Sequence, residues 1–313
     1  MHTYPMKLKP YISETVWGGS RLVTEYGIDP QDRANCAEAW VFSAHPGGSS
    51  VVQNGAYAGL RLDELYTREP KLFGRNAANK FPVLVKFIDA QDDLSIQVHP
   101  RDTDEVLLPG EAGKTECWYI LDAQPGAKLY LGFREKITQE AFAHAIKTQT
   151  LMEYVQAFEV QAGEFYFIPA GTLHAIGRDV LLAEVQQNSD TTYRVYDYGR
   201  LQNGAPRALH VEQALAVTDL VPYTPQKPSE QTAGLRELVR CAYFAVEEWD
   251  GAGEFAGTAG AESFVSLLVL QGGAVLTCAG EEMKISKGES VCIPAGAGEY
   301  HIKGDCRVLI TTV

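Results

Sequence analysis

The chain is expected to be mainly β, built from two copies of one small barrel-like unit with a few short helices. Three observations carry that expectation. Most apolar segments are short and closed by Gly, Pro, Asp or Asn. A nine-residue block recurs at a fixed offset, and a polar, proline-bearing stretch separates the two copies.

The short segments are Phe81–Ile88, Cys117–Leu121, Glu164–Ile168, Val180–Val185, Phe264–Leu270 and Val308–Val313. Their β-branched and aromatic content and their turn-forming boundaries read as strands. Many such strands joined by Gly/Pro turns fit a sandwich, a jelly roll or a barrel. Three segments read as helices. Leu60–Tyr66 is short and amphipathic. Thr138–Val155 opens with a candidate N-cap, Thr138, and an acidic first turn at Glu140, and is expected to break near Thr148–Thr150. His210–Val217 is the third.

The repeat joins Gly163-Glu-Phe-Tyr-Phe-Ile-Pro-Ala-Gly171 to Gly288-Glu-Ser-Val-Cys-Ile-Pro-Ala-Gly296, with six identities at an offset of 125 residues. Upstream, Cys117–Gly126 and Val265–Gly273 are both apolar strands ending in a Gly turn. Two copies of one β unit account for both matches. Thr218–Gln231 holds three prolines and reads as the connection. The expected organisation is an N-terminal domain over 1–220, a linker over 221–231 and a C-terminal domain over 232–313.

Bulk properties narrow the function. The 313 residues are 45% hydrophobic, enough for a large core, and the net charge is −13. Such an acidic surface repels nucleic-acid phosphates and anionic lipid, so neither is expected as a partner. No stretch has the apolar length of a membrane span, and the start lacks the apolar centre of a secretory signal. A cytoplasmic location is expected. The six cysteines are scattered with no CxxC pair, which fits free, buried thiols.

One constellation carries chemistry. Gly163-x5-Pro169-x-Gly171-x2-His174 ends one strand at a tight turn and starts the next with a histidine. This pattern resembles the second signature of the cupins, which are jelly-roll β barrels. An earlier strand, Leu94-Ser-Ile-Gln97-Val-His99, alternates so that Gln97 and His99 share a face, and Glu116 follows. His99, Glu116 and His174, with Gln97 as a fourth oxygen ligand, suit Zn²⁺; two histidines and a carboxylate also suit Fe²⁺. The second copy has Glu299 where His174 stands, so the C-terminal unit is expected to be metal-free.

Leu94-Ser-Ile-Gln-Val-His-Pro, Lys114-Thr-Glu-Cys-Trp-Tyr, Ile168-Pro-Ala-Gly-Thr-Leu-His-Ala-Ile and Thr192-Tyr-Arg-Val-Tyr-Asp-Tyr198 together resemble type I mannose-6-phosphate isomerase. Trp17-Gly18-Gly19 and Ala37-Glu-Ala-Trp40 fit the same family. The likeness runs from about residue 5 to 220 and continues weakly beyond, in the manner of the short bacterial form. Arg101 departs from the family, which usually has Asp there.

The resemblance implies two cupin barrels, one Zn²⁺ per chain, and interconversion of mannose 6-phosphate and fructose 6-phosphate through a cis-enediol. It also implies a small sugar-phosphate partner and a monomer or homodimer. Arg194 matches the family's active-site arginine and Glu184 its active-site glutamate. Lys114 shares a strand face with Glu116 and is a candidate proton shuttle. Lys86, a charge on an apolar strand, and Ser95, on the face of Gln97, are candidate phosphate or sugar contacts. The alternatives are an Fe²⁺ cupin dioxygenase and a sugar-phosphate-binding cupin without turnover.

Overall fold

The computed structural model describes residues 3–75, 80–202 and 204–313. Its N-terminal half is organised around the strand Val83–Ala90, which is buried along its whole length. A strand covered on both faces reads as an unbroken apolar run rather than an alternating one. It sits within a six-stranded sheet in the order Phe165–Ile168, Glu116–Ala123, Val180–Gln187, Val83–Ala90, Glu38–Phe42 and Tyr11–Ser13. On one face of this sheet Val85, Phe87, Tyr119 and Val185 join a core shared with Phe244 and Leu268 of the C-terminal half. On the other, Ile88, Trp118, Ile120 and Leu182 pack against Leu129, Leu131 and Ile176 of a second sheet.

The second sheet has five strands, in the order Val155–Glu159, Lys128–Phe133, His174–Ile176, Ile96–Val98 and Tyr193–Tyr196. Its outer face, with Val98, Ala175 and Val195, is covered by two helices through Phe142, Ala145, Ala214 and Val217. The site therefore opens between two facing sheets, with rigid backing behind each.

The helices differ in detail from expectation. Gln139–Thr148 is capped by Thr138, whose hydroxyl accepts from the Ala141 N–H at 3.2 Å. It stops where Gln149 turns left-handed at φ 60°, a single 3-10 turn follows, and Val155 already belongs to a strand. The helix expected over Leu60–Tyr66 runs over Leu62–Arg68, and the last over Val211–Val217. A helix at Arg21–Tyr26 was not foreseen. Its cap is tertiary: the Asp89 carboxylate accepts from the Arg21 N–H at 2.8 Å. A Cβ on Gly19 would stand 2.3 Å from that carboxylate, and one on Gly18 2.3 Å from the Ala37 Cβ. The glycines let the chain lie flat here, which brings Trp17 into the inner core.

The C-terminal half is built on the long strands Ala245–Ala259, Val265–Cys278 and Gly298–Thr312. They extend well beyond the expected Phe264–Leu270 and Val308–Val313, because the glycines that read as turns lie within strands and at a register shift between Val269 and Gln271. Its interior is apolar, filled by Trp249, Leu267, Val269, Ile302 and Val308. Glu299 is exposed there, and His301 pairs with Glu254 at 3.0 Å. The strand Met6–Lys9 crosses over to pair with Ser290–Ile293, with Met6 opposite Cys292. The Tyr119 hydroxyl donates to Glu248 at 2.6 Å across the junction between the halves.

All six cysteines are free, five of them buried. Among the described residues no helix is long and apolar enough to cross a membrane.

Candidate metal centre

Alternation along the two facing sheets decides which side chains meet. Val98 belongs to the helix-covered core, so Gln97 and His99 point to the opposite, inner face. Gln97 lies directly opposite His174 on one neighbouring strand and Arg194 on the other. From the six-stranded sheet, Lys86, Glu184 and Trp118 lie side by side in register, and Glu116 stands two residues before Trp118. The Pro169–Gly171 turn places His174 at the first position of its strand, and Gly171, at φ 92°, lies under the Arg101 guanidinium. Arg101 bonds Asp219 and the Val217 carbonyl, so it staples this turn from outside.

His99, Glu116 and His174 are each 1% exposed, and their ligand atoms lie within 4.8 Å of one another. His99 Nδ1 donates to the Thr191 carbonyl and His174 Nδ1 to the Thr172 carbonyl, both at 2.8 Å. These bonds hold the proton on Nδ1 and turn both Nε2 lone pairs inward, as metal-binding histidines require. Each Nε2 stands 3.4 Å from a Glu116 oxygen. Two ligands about 2.0–2.1 Å from one tetrahedral ion are ~3.3 Å apart. His174 Nε2 is buried with no hydrogen-bond partner among the described residues, and burial lowers its pKa to about 4. Burial, then Lys114, push His99 well below its ordinary value. Neutral imidazoles and an orphaned inward nitrogen fit a divalent metal.

Beside this cluster runs a row of charges, buried except for the half-buried Glu38. Glu38 meets Lys86 at 3.4 Å, Lys86 meets Glu184 at 3.3 Å, Glu184 meets Lys114 at 3.4 Å, and Lys114 closes on Glu116. Lys114 Nζ also stands 3.1 Å from His99 Nε2. Burial raises Glu116 to about 7, assisted by the neighbouring Glu184 charge. Burial pushes Glu184 the same way, but Lys114 and Lys86 outweigh it and hold this carboxylate below its ordinary range. Burial would lower Lys86, yet Glu184 and Glu38 raise it. The Trp118 indole donates to Glu184 at 3.0 Å and the Trp40 indole to Glu38 at 2.6 Å. With all of them ionised, three carboxylates against two ammonium groups leave one negative charge in excess, which favours a cation.

These groups open on a cavity of about 220 Å³ whose wall also includes Ser95, Gln97, Arg194 and Arg207. Every site residue expected from sequence contributes to the cluster or to this wall. Ser95 Oγ donates to Gln97 Oε1 at 3.3 Å and accepts from Arg194 Nε at 3.0 Å. Gln97 is held by Ser95 and lies opposite His174 on the neighbouring strand. Glu38 and Arg207 were not singled out by sequence reasoning. Glu38 lies in the family-like segment Ala37–Trp40, whereas Arg207 follows a short strand pair with no motif.

Residues 6–125 match the family described as phosphomannose isomerase type I, catalytic domain, and residues 235–313 match mannose-6-phosphate isomerase, cupin domain. Mannose-6-phosphate isomerase ManA of Bacillus subtilis is 37% identical, with 99% of each chain covered. Mannose-6-phosphate isomerase of Streptococcus mutans is also 37% identical, with 97% of each covered. The crystal structure of the Bacillus subtilis mannose 6-phosphate isomerase superposes with a TM-score of 0.91 at 35% identity over the whole of both chains.

Proposed function

The chain belongs to the type I phosphomannose isomerase family, and from that premise we propose that it is a zinc-dependent isomerase of mannose 6-phosphate and fructose 6-phosphate. The observation that carries this reading is the pair of inward, neutral Nε2 atoms set against Glu116 beside the Glu184–Lys114 pair. A structure of mannose 6-phosphate isomerase with zinc bound has the same fold, at TM-score 0.79 and 20% identity. In this chain His99, Glu116 and His174 would hold one ion, with Gln97, opposite His174 on the neighbouring strand, as a further oxygen. When bound, Zn²⁺ supplies Lewis acidity that polarises the sugar's O1 and O2.

The remaining chemistry belongs to the side chains. Aldose and ketose interconvert by moving one proton between C2 and C1 through a cis-enediol. Glu184 is kept ionised by Lys86 and Lys114 and is anchored by Trp118, so it is the carboxylate poised to take the carbon proton. Lys114, between Glu184 and Glu116, carries protons between O1 and O2. Arg194 sets a permanent positive charge on the cavity wall, where it stabilises the enediolate. Lys86 and Ser95 contact the sugar phosphate. Arg194 lies two strands from His174, roughly 10 Å away at ordinary strand spacing.

Zinc-loaded protein should convert fructose 6-phosphate to mannose 6-phosphate, and Arg194→Ala should keep its zinc while losing most of the rate. No turnover by the zinc-loaded protein, or oxygen consumption by an iron-loaded one in its place, would sink the isomerase reading.

A further inference from the structure

The ladder between Glu116–Ala123 and Val180–Gln187 ends by exchanging backbone bonds for side-chain bonds. Gln186 pairs with Glu116, so Gln187 lies opposite Thr115. A hydrogen-bonded pair of opposite residues ordinarily exchanges two backbone bonds. Here one forms: the Gln187 N–H donates to the Thr115 carbonyl at 3.0 Å. The return bond is replaced. The Gln187 carbonyl accepts from Gln186 Nε2 at 2.8 Å, and the Thr115 N–H donates to the side-chain Oε1 of Gln187, also at 2.8 Å. Gln187 thus grips both backbone groups of Thr115, one with its main chain and one with its amide.

Thr115 stands between Lys114 and Glu116. Its Oγ1 accepts from the Ala170 N–H at 3.2 Å, in the turn before His174. The Lys114 N–H donates to the Pro100 carbonyl at 3.0 Å, next to His99. The segments carrying all three clustered residues therefore meet here. Gln186 lines the cavity, so alternation turns the Gln187 side chain to the other side of the strand. Its far end is fixed as well. Nε2 donates to Asp102 Oδ2 at 2.9 Å, and Asp102 Oδ1 accepts from the Gly113 N–H at 2.7 Å. A Cβ on Gly113 would stand 2.5 Å from the Asp102 nitrogen, so this approach needs glycine. Asp102 lies at the surface, whereas Lys114, Thr115 and Gln187 are buried. Glu116 is held by strands on both sides, opposite Gln186 and Ile168. Lys114 lies outside that ladder, so the Gln187 amide governs Lys114 more than Glu116.

We propose that Gln187 is a positioning residue that acts from behind the cavity wall, setting where Lys114 presents its ammonium group between Glu116 and Glu184. The inference rests on the isomerase reading for the role of Lys114 in proton transfer. Without the Gln187 acceptor the buried Thr115 N–H is left unpaired, and residues 113–115 must shift to satisfy it. A displacement of about 1 Å can cost about a hundredfold in rate.

The test compares zinc-loaded wild type, Gln187→Met, Lys114→Met and the variant carrying both changes. Gln187→Met should lower kcat for mannose 6-phosphate by about ten- to hundredfold, with KM and zinc affinity within about threefold. Against the residual rate of Lys114→Met, the same change should cost less than about threefold, because the group it positions is gone. Gln187→Glu combined with Asp102→Asn exchanges amide and carboxylate, keeps the bonds to Thr115 and Gly113, and should recover most of the rate. If Gln187→Met folds poorly, Asp102→Ala releases the Gln187 amide from the surface side and should show the same split at about three- to tenfold. Equal losses with and without Lys114, or a change confined to zinc affinity, overturns the proposal. One readout needs no catalysis. Exchange of the Thr115 amide hydrogen, followed by mass spectrometry of fragments spanning residues 113–118, should speed by at least about tenfold in Gln187→Met. Unchanged exchange also overturns it. Wild-type protein that does not turn over mannose 6-phosphate refutes the isomerase reading, and the exchange rate still decides whether Gln187 holds the segment that carries Lys114.

Discussion

Replacing Lys86 with Met removes the ammonium group that sits between Glu38 and Glu184 while keeping most of its length. Both contacts are short, 3.4 and 3.3 Å, and Lys86 and Glu184 are buried. At an effective dielectric of 20 each contact is worth about 5 kcal/mol of attraction. Desolvation of the three groups offsets much of that, so the pair adds little over an apolar substitute. Breaking it is different, since Glu184 would be left buried beside Glu116 with Lys114 as the only ammonium between them. The expected loss is about 3–5 kcal/mol. Adding Glu184→Gln to Lys86→Met removes the stranded charge and should restore more than half of it. Urea unfolding of chelated protein measures both, so that metal binding does not add to the stability. A loss below about 1 kcal/mol for Lys86→Met, or no recovery in the double variant, would refute the view that these charges act as one coupled row.

Two further outcomes follow from the same contacts. The folded pKa of His174, about 4, lies below its unfolded value, so its contribution is whole above about pH 6.5 and is lost as pH falls toward 4, by about 3 kcal/mol in all. Chelated His174→Asn should lack that share of the acid destabilisation; an identical pH–stability curve for the two proteins contradicts the neutral, buried histidine. Tyr119→Phe removes the hydroxyl that bonds Glu248 at the junction of the halves, and should cost about 1 kcal/mol with kcat within about twofold; a larger loss of turnover would tie the junction to the chemistry.

What the sequence disclosed is what local rules encode. The Gly163–His174 spacing marks a strand, a turn and a strand, and period-two alternation puts Gln97 and His99 on one face; the fold places all three along the inner wall. The mainly β class was legible from short apolar runs and the repeat. Pairing across strands was not. Nothing in the chain says that Glu184 lies opposite Lys86 on one side and Trp118 on the other, because register depends on the whole sheet. Glu38 and Arg207 reach the cavity from distant segments for the same reason. The helix Arg21–Tyr26 lacks a local capping side chain and depends on Asp89, so a reading of local signals misses it. The long C-terminal strands escape notice because Gly251, Gly253 and Gly257 look like turns and instead pair in register with Cys306, Gly304 and Tyr300.

On the proposed reading one metal, held by His99, Glu116 and His174, makes this chain an isomerase. Titrating Zn²⁺ into chelated protein while following fructose 6-phosphate conversion tests it most directly. Activity should start near zero, rise in proportion to added zinc and saturate at one ion per chain, with His174→Asn neither binding tightly nor turning over. Saturation at two ions, or full activity in the chelated protein, would contradict it.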